Sequence, residues 1–514
     1  MTESPRPAGL SNATSPDELG ILPARKLSIR IASAVSATGV GSVITLTVSS
    51  LAGIAVARNG GPHGYAVYVS ANMIVFVGAA LCSFGLPLAL AKHVAAEEEI
   101  GGHESLRRSI TTTLVLTLSI TLLVSTVIST FLSSFEQYLG VPIGRGFAIA
   151  LPLVMLCAVT SDCVQSIYIG LLRPRPVIAI AAAGPLAVLV YSMARRSGIS
   201  LPIWGAIAAL YGVSGVMGVC FLVRGGWLGA PFSLARIKPL LQDTIPAAAF
   251  TFFMVFSSWS DRWIVGARLG AVAMGSYAAA VVILQAALRI PTQVAILLVP
   301  ASARVALSGP ENSKNLNTTA ISLFGLFAAF VTVAIMLEPA TLVRSIFGPG
   351  FVQSGPVLLI MAPSLLVSAI SIPFISVLTG SSKNRVVTWL LGLTIIPRIV
   401  LLIVFTRHWG LPGTAFGTLF ADSLLALCCI ILARKLQVTL PLTALIRPYM
   451  IGILAYLVGS GALLLGVPAF VALPLGLLVF VFPVWRLVQG ALAQRPRSQS
   501  AKPSAYRDSS TTLP

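Results

Sequence analysis

Hydrophobic positions in this chain neither alternate nor keep to one helical stripe. They come in long, nearly unbroken runs separated by short polar segments. The runs lie at 31–56, 66–91, 110–133, 147–171, 176–192, 204–222, 245–264, 271–299, 318–337, 353–379, 386–405, 413–433, 449–466 and 469–487. A helix needs about 20 mainly apolar residues to cross the hydrocarbon of a bilayer. Backbone groups in lipid are satisfied only within α-helices or closed barrels, and these runs are too long and too uniform for alternating barrel strands. The pattern predicts an all-α polytopic membrane protein with about fourteen transmembrane helices. The first run is too long for the apolar core of a cleavable signal, so it is expected to remain as a helix.

The punctuation between runs is specific. Asn59-Gly60-Gly61-Pro62 is a turn signal, and Pro174 and Pro176 in Leu172-Arg173-Pro174-Arg175-Pro176 stop one helix and start the next. Residues 1–30 and 491–514 are polar tails with little to bury and are expected to be disordered. Between them the chain divides into an N-terminal lobe of six helices (31–222), a linker (223–244) with scope for an interfacial helix, a C-terminal lobe of six helices (245–433) and two extra helices (434–490). A weak internal repeat supports two lobes. Setting Tyr68 on Tyr277 brings Ser49-Ser50 onto Ser258-Trp259. An even number of helices per lobe gives parallel repeats about an axis normal to the membrane.

Composition agrees with the pattern. Hydrophobic residues make up 56% and charged residues 10%, with mean hydropathy +0.93, against about 25% charged in ordinary soluble domains. The net charge of +19 raises the question of nucleic acid. The basic residues answer it, because segments assigned to the inner side hold roughly three times as many Lys and Arg as the outer loops, as the positive-inside rule requires. The charge therefore reports orientation in a cell inner or plasma membrane with both termini cytoplasmic, and secondarily contact with anionic membrane lipids. No nucleic-acid partner is expected. The six cysteines lie in apolar runs without metal spacing, and no phosphate-binding glycine loop or nucleophile–base set is present. No cofactor, metal or catalytic residue is predicted, and the chain does not read as an enzyme.

The informative residues are the charges inside the runs, since each costs at least about 2.5–3.5 kcal/mol at the bilayer centre unless it faces water or a partner. Gln285, Arg289 and Gln293 recur every four residues, on one helix face. Arg398 sits in the eleventh run, Asp162 in the fourth, with Gln165 and Ser166 one turn on, and Asp422 in the twelfth, below Thr414 and Thr418. Asp261 and Arg262 lie near the end of the seventh. Arg289, Gln285, Gln293 and Arg398 are the candidate substrate-binding set. Asp162, Asp422, Asp261 and Arg262 are candidates for ion pairs, coupling or a gate; the lesser alternative for Arg289 is a structural ion pair, for example with Asp162 or Asp422.

The segment Asp261-Arg262-Trp263-Ile264-Val265-Gly266-Ala267-Arg268-Leu269-Gly270, followed by Ala273-Met274-Gly275-Ser276-Tyr277, resembles helices seven and eight of polysaccharide (O-antigen-type) flippases. Those belong to the multidrug/oligosaccharidyl-lipid/polysaccharide (MOP) exporter superfamily. The turn Phe347-Gly348-Pro349-Gly350-Phe351, the segment Leu378-Thr379-Gly380 with Lys383, and Trp409-Gly410-Leu411-Pro412-Gly413 are similar in style. The resemblance implies two six-helix lobes around a central cavity with alternating access. It also implies a polyprenyl-pyrophosphate-linked oligosaccharide as cargo, whose charge Arg289 and Arg398 would meet. Pathway partners would be a glycan polymerase or glycosyltransferases. The dense basic set expected in the first helices of peptidoglycan-precursor flippases is not evident. Two rivals are a multidrug antiporter, served by Asp162 and Asp422, and a membrane-embedded glycan polymerase, which would want larger outer loops than these.

Overall fold

The computed structural model describes residues 24–100, 103–306, 310–380, 384–436, 442–483 and 485; the side chains of 24–40, 293–306 and 310–317 lie outside that description. Among the described residues the chain is helical, without strands. The first half comprises α1 (Ala24–Ser83), α2 (Leu86–Ile100), α3 (His103–Thr130), α4 (Leu132–Leu139), α5 (Arg145–Gly170), α6 (Pro174–Arg196) and α7 (Gly205–Arg224). After a 3-10 turn at Leu234–Arg236 come α8 (Ile237–Ala306), α9 (Pro310–Leu337), α10 (Pro339–Phe347), α11 (Ser354–Met361), α12 (Ser364–Gly380), α13 (Asn384–Lys435), α14 (Leu442–Leu464) and α15 (Ala469–Leu478).

Three of these helices are hairpins. A straight helix of 60 residues, the length of α1, would measure about 90 Å, three times the hydrocarbon thickness. Instead α1 turns at Gly61 (φ 61°), α8 at Gly270 (φ 81°) and α13 at Gly410 (φ 59°), left-handed positions that glycine takes without the Cβ penalty. Contacts across the arms establish the reversal, since Arg398 meets Asp422 at 2.7 Å within the one helix α13. The three turns mark one face of the bundle, here the turn face; the opposite face, where α1 begins and α13 ends, is the terminal face. Gly61 and Gly270 are separated by the same interval as Tyr68 and Tyr277, so the weak sequence repeat corresponds to two like hairpins.

Eight described helices are long and apolar enough to cross a membrane, and two bent pairs, α9–α10 (85°) and α11–α12 (47°), pass together. The three hairpins are counted once each among those eight. The runs read from the sequence fall on these arms, helices and pairs, and the last, 469–487, is described only in part. The protein is a multi-pass membrane protein.

Local chemistry explains how polar side chains live in these helices. In α3, Thr113, Thr117 and Thr121 each donate to the carbonyl four residues back (2.9, 2.7 and 2.7 Å), so a buried hydroxyl stripe is satisfied by its own helix. At the terminal face the inter-half linker is fastened to the first half. Arg236 Nη1 donates to Glu97 Oε1 (2.7 Å) and to the Ser105 carbonyl (2.9 Å), and its Nη2 donates to Ser105 Oγ (2.8 Å). The linker forms only the 3-10 turn before α8 begins, in place of a separate interfacial helix. One apolar core runs from the first half into the second, while α14 and α15 pack on α9 through Val333, Ala455 and Phe480.

Candidate functional site

The halves meet tightly at the turn face. A Cβ on Gly275 would lie 1.9 Å from the Pro62 carbonyl oxygen, so only glycine lets the first hairpin's turn seat on α8. Beside it, buried Tyr65 packs with Tyr68, Phe347 and Phe351 at centroid distances of 6.0, 6.2 and 6.1 Å. Arg58 of the first half donates from Nε to the Ile346 carbonyl (2.7 Å) and from Nη2 to that of Ser345. These are last-turn carbonyls of α10, where a cation is favoured by free acceptors and the helix dipole. The turn face is thereby closed.

Beneath it the second half holds an ionic network of its own. Asp261 and Arg262 are each 3% exposed and pair at 3.5 Å. Asp261 Oδ2 accepts from the Tyr277 hydroxyl (3.0 Å), which shares a hydrogen bond with Thr418 (2.9 Å). The Arg262 guanidinium lies 4.6 Å from the Trp259 ring centroid, a cation–π contact, and Trp259 packs on Phe76 of the first half (5.7 Å). Arg398 pairs with Asp422 at 2.7 Å, their side chains 11% and 23% exposed. Four of the intramembrane charges singled out in the sequence are thus two ion pairs, as burial demands. The structure places Arg398 on Asp422, with its charge compensated there.

Arg289 is placed differently. It lies on the second arm of α8, exposed, with Gln285 exposed one turn earlier on the same face. The backbone of Gln293 continues that helix, but its side chain lies outside the described residues. Arg289 lines a cleft of about 230 Å³ whose other walls come from the first half: Ser42, Thr45 and Ser49 of α1, Gln165 of α5, and Val177 and Ile178 of α6. Among the described residues Arg289 has no ion-pair partner, and neither Asp162 nor Asp422 bridges it. Asp162 is also exposed and unpaired. It sits one turn before Gln165, on the side of α5 opposite Ile149 and Leu153, which are 83% and 67% exposed on its outer side. The carboxylate therefore lies on the face of α5 turned away from those two side chains, within one turn of the cleft residue Gln165.

The cleft's hydroxyl wall was not singled out from the sequence, where its one signal is the helical spacing of Ser42, Thr45 and Ser49 in the first apolar run. Nor was Arg58, whose only signal is its place next to a turn. A second, apolar groove of about 590 Å³ runs between the halves, lined by Phe131, Phe135 and Tyr138 on one side and Phe256, Trp263 and Ile403 on the other.

No protein-family model matches this sequence, and no curated protein matches it. Solved structures do resemble it. An inward-facing multidrug-resistance MATE family transporter of the MOP superfamily aligns with a TM-score of 0.64 at 15% identity, over 76% of this chain and 94% of that one. The lipid II flippase MurJ in an inward closed conformation aligns with a TM-score of 0.70 at 12% identity, over 88% and 99%. A MOP superfamily transporter from Pyrococcus furiosus, described as having a binding pocket of reversed polarity, aligns at 0.54 and 15%, over 78% and 95%. At these identities the likeness is one of fold. The chain has the MOP transporter fold.

Proposed function

We propose that this protein is a flippase that carries a lipid-linked oligosaccharide across the cytoplasmic membrane by alternating access, supplying cell-surface polysaccharide synthesis. Both termini would be cytoplasmic, so the closed turn face looks outward and the cleft lies toward the inner leaflet. The observation that carries this reading is Arg289, a guanidinium with no counter-ion among the described residues, on the second arm of α8 and opposite a wall of hydroxyls contributed by the other half. An intramembrane charge persists only where water or a ligand compensates it. A phosphoryl group on a sugar-bearing lipid supplies that compensation, with Gln285, Gln165 and the α1 hydroxyls left for sugar hydroxyls. The aromatic groove between the halves offers an apolar route for the carrier tail. Loss of the Arg58 and Tyr65 contacts, with the two halves rocking about the seam, would expose the head outside.

The test is transport of a labelled polyprenyl-linked oligosaccharide in reconstituted vesicles. Arg289→Ala should slow it by at least about tenfold, the size of one charge-assisted contact of ~1.5–3 kcal/mol, with unchanged protein in the membrane. Full transport by that variant removes Arg289 from the mechanism. One observation favours a second reading, a multidrug antiporter for organic cations: the unpaired, inward-facing Asp162. Efflux of cationic dyes lost in Asp162→Asn, with glycolipid transport absent from the wild type, would decide for it.

A further inference from the structure

We infer that the cargo head is zwitterionic, with a phosphoryl group held by Arg289 and a protonated amine on the sugar held by Asp162; this rests on the flippase reading above. The argument starts from which intramembrane charges are left over. Asp261 is taken by Arg262 and Tyr277, and Asp422 by Arg398. The two that keep no ionic partner among the described residues, Asp162 and Arg289, belong to opposite halves and have opposite sign.

The helix that carries Asp162 also forms part of the wall facing Arg289. Gln165 and Arg289 line the same cleft, and Asp162 stands three residues from Gln165 on the inward side of α5, a rise of about 4.5 Å. Because α5 runs from the turn face to the terminal face, Asp162 lies deeper than Gln165. A purely anionic head drawn to Arg289 would bring like charge toward Asp162. A purely cationic amphiphile drawn to Asp162 would do the same toward Arg289. A head carrying both signs compensates both groups at once and leaves neither charge stranded away from bulk water. The order fits a glycolipid: the phosphoryl, joined to the tail, nearer the mouth, and the amine farther in. Ser42, Thr45, Ser49 and Gln165 are positioned to meet the sugar between them.

The experiment uses the full chain in vesicles with two synthetic probes, polyprenyl-phosphate glucosamine and its N-acetyl counterpart, which differ only in the acetyl group that removes the charge on nitrogen. Wild type should move the free amine about tenfold faster, the effect of one charge-assisted contact. Asp162→Asn should bring that ratio close to unity, whereas Arg289→Gln should slow both probes. The ratio is read within each protein preparation, so poor folding of a variant does not imitate the result. Equal rates in the wild type overturn the inference, as does a ratio unaltered in Asp162→Asn. Equal loss of both probes in Asp162→Asn would mark the carboxylate as part of coupling and also overturn it. Transport of phosphatidylethanolamine as fast as the amino-sugar probe would show that the glycan is not selected, with the same consequence. Failure of wild type to move either probe defeats the flippase reading itself, a distinct outcome.

Discussion

The first and second hairpins, α1 and α8, have like backbones and unlike chemistry. Both turn at a left-handed glycine, Gly61 and Gly270, and both carry a tyrosine two turns beyond, Tyr68 and Tyr277. At the interval that superposes them, Asp261 and Arg262 stand where α1 has Ala52 and Gly53, Gln285 where it has Phe76, and Arg289 where it has Ala80. One repeat has kept a small, uncharged interior with hydroxyls on its cleft side. The other has acquired charges and, with α13, internal partners for most of them. The lesson is that the fold needs the hairpin and its tight turn in both halves, whereas the charges are not required by the architecture. The paired α8 charges, Asp261 and Arg262, neutralise each other and reach α13 through the Tyr277 hydroxyl on Thr418; Arg289 is left open toward the first half.

The contrast can be broken most severely at the α13 pair. Arg398→Met strands Asp422 in a mostly buried place and should cost about 3 kcal/mol of stability, with much of it recovered in Arg398→Met/Asp422→Leu. Thermal unfolding in detergent checks both; a harmless single variant would mean that the pair is hydrated and not structural. The hairpin seat comes next. Gly275→Val drives a side chain into the Pro62 carbonyl and should cost about 1–3 kcal/mol by overpacking. It should also raise the reactivity of a cysteine placed at Tyr65 from the turn face, and unchanged labelling would argue against a closed seat. The smallest effect is expected at Arg58. Arg58→Gln removes contacts to exposed carbonyls worth about 1 kcal/mol or less, so the closed face should open only a few-fold more often, measured by the labelling rate of Tyr65→Cys from the turn face with and without Arg58→Gln. A loss of stability as large as that of Arg398→Met would contradict the assignment of Arg58 to a latch.

Much of the fold was legible because the bilayer imposes it. A run such as 147–171 has one low-energy state in hydrocarbon, and α5 at Arg145–Gly170 is that state. The bend within α9–α10 was legible only as a break, since Glu338-Pro339 ends the run 318–337 but does not give the 85° between the two helices. The site was legible as a roster of charges and not as a set of relations. Arg289 and Arg398 look alike as single basic residues in apolar runs, yet one pairs with Asp422 and the other opens on a cleft. Ser42, Thr45 and Ser49 were hidden by the opposite problem: hydroxyls are so common in these helices, as in the self-satisfied stripe of α3, that spacing alone does not separate a wall from a filler.

By itself the sequence determined that the chain crosses a membrane many times in helices, where its glycine turns fall, and which side chains are too costly to leave in oil. Those are properties of local segments and of the solvent around them. Which of the costly groups neutralise one another, and that Arg289 and Asp162 on opposite halves have no ionic partner among the described residues, was decided only by tertiary packing. A pair such as Arg398–Asp422 depends on a distance of a few ångströms between two arms of a hairpin, and no local pattern contains it.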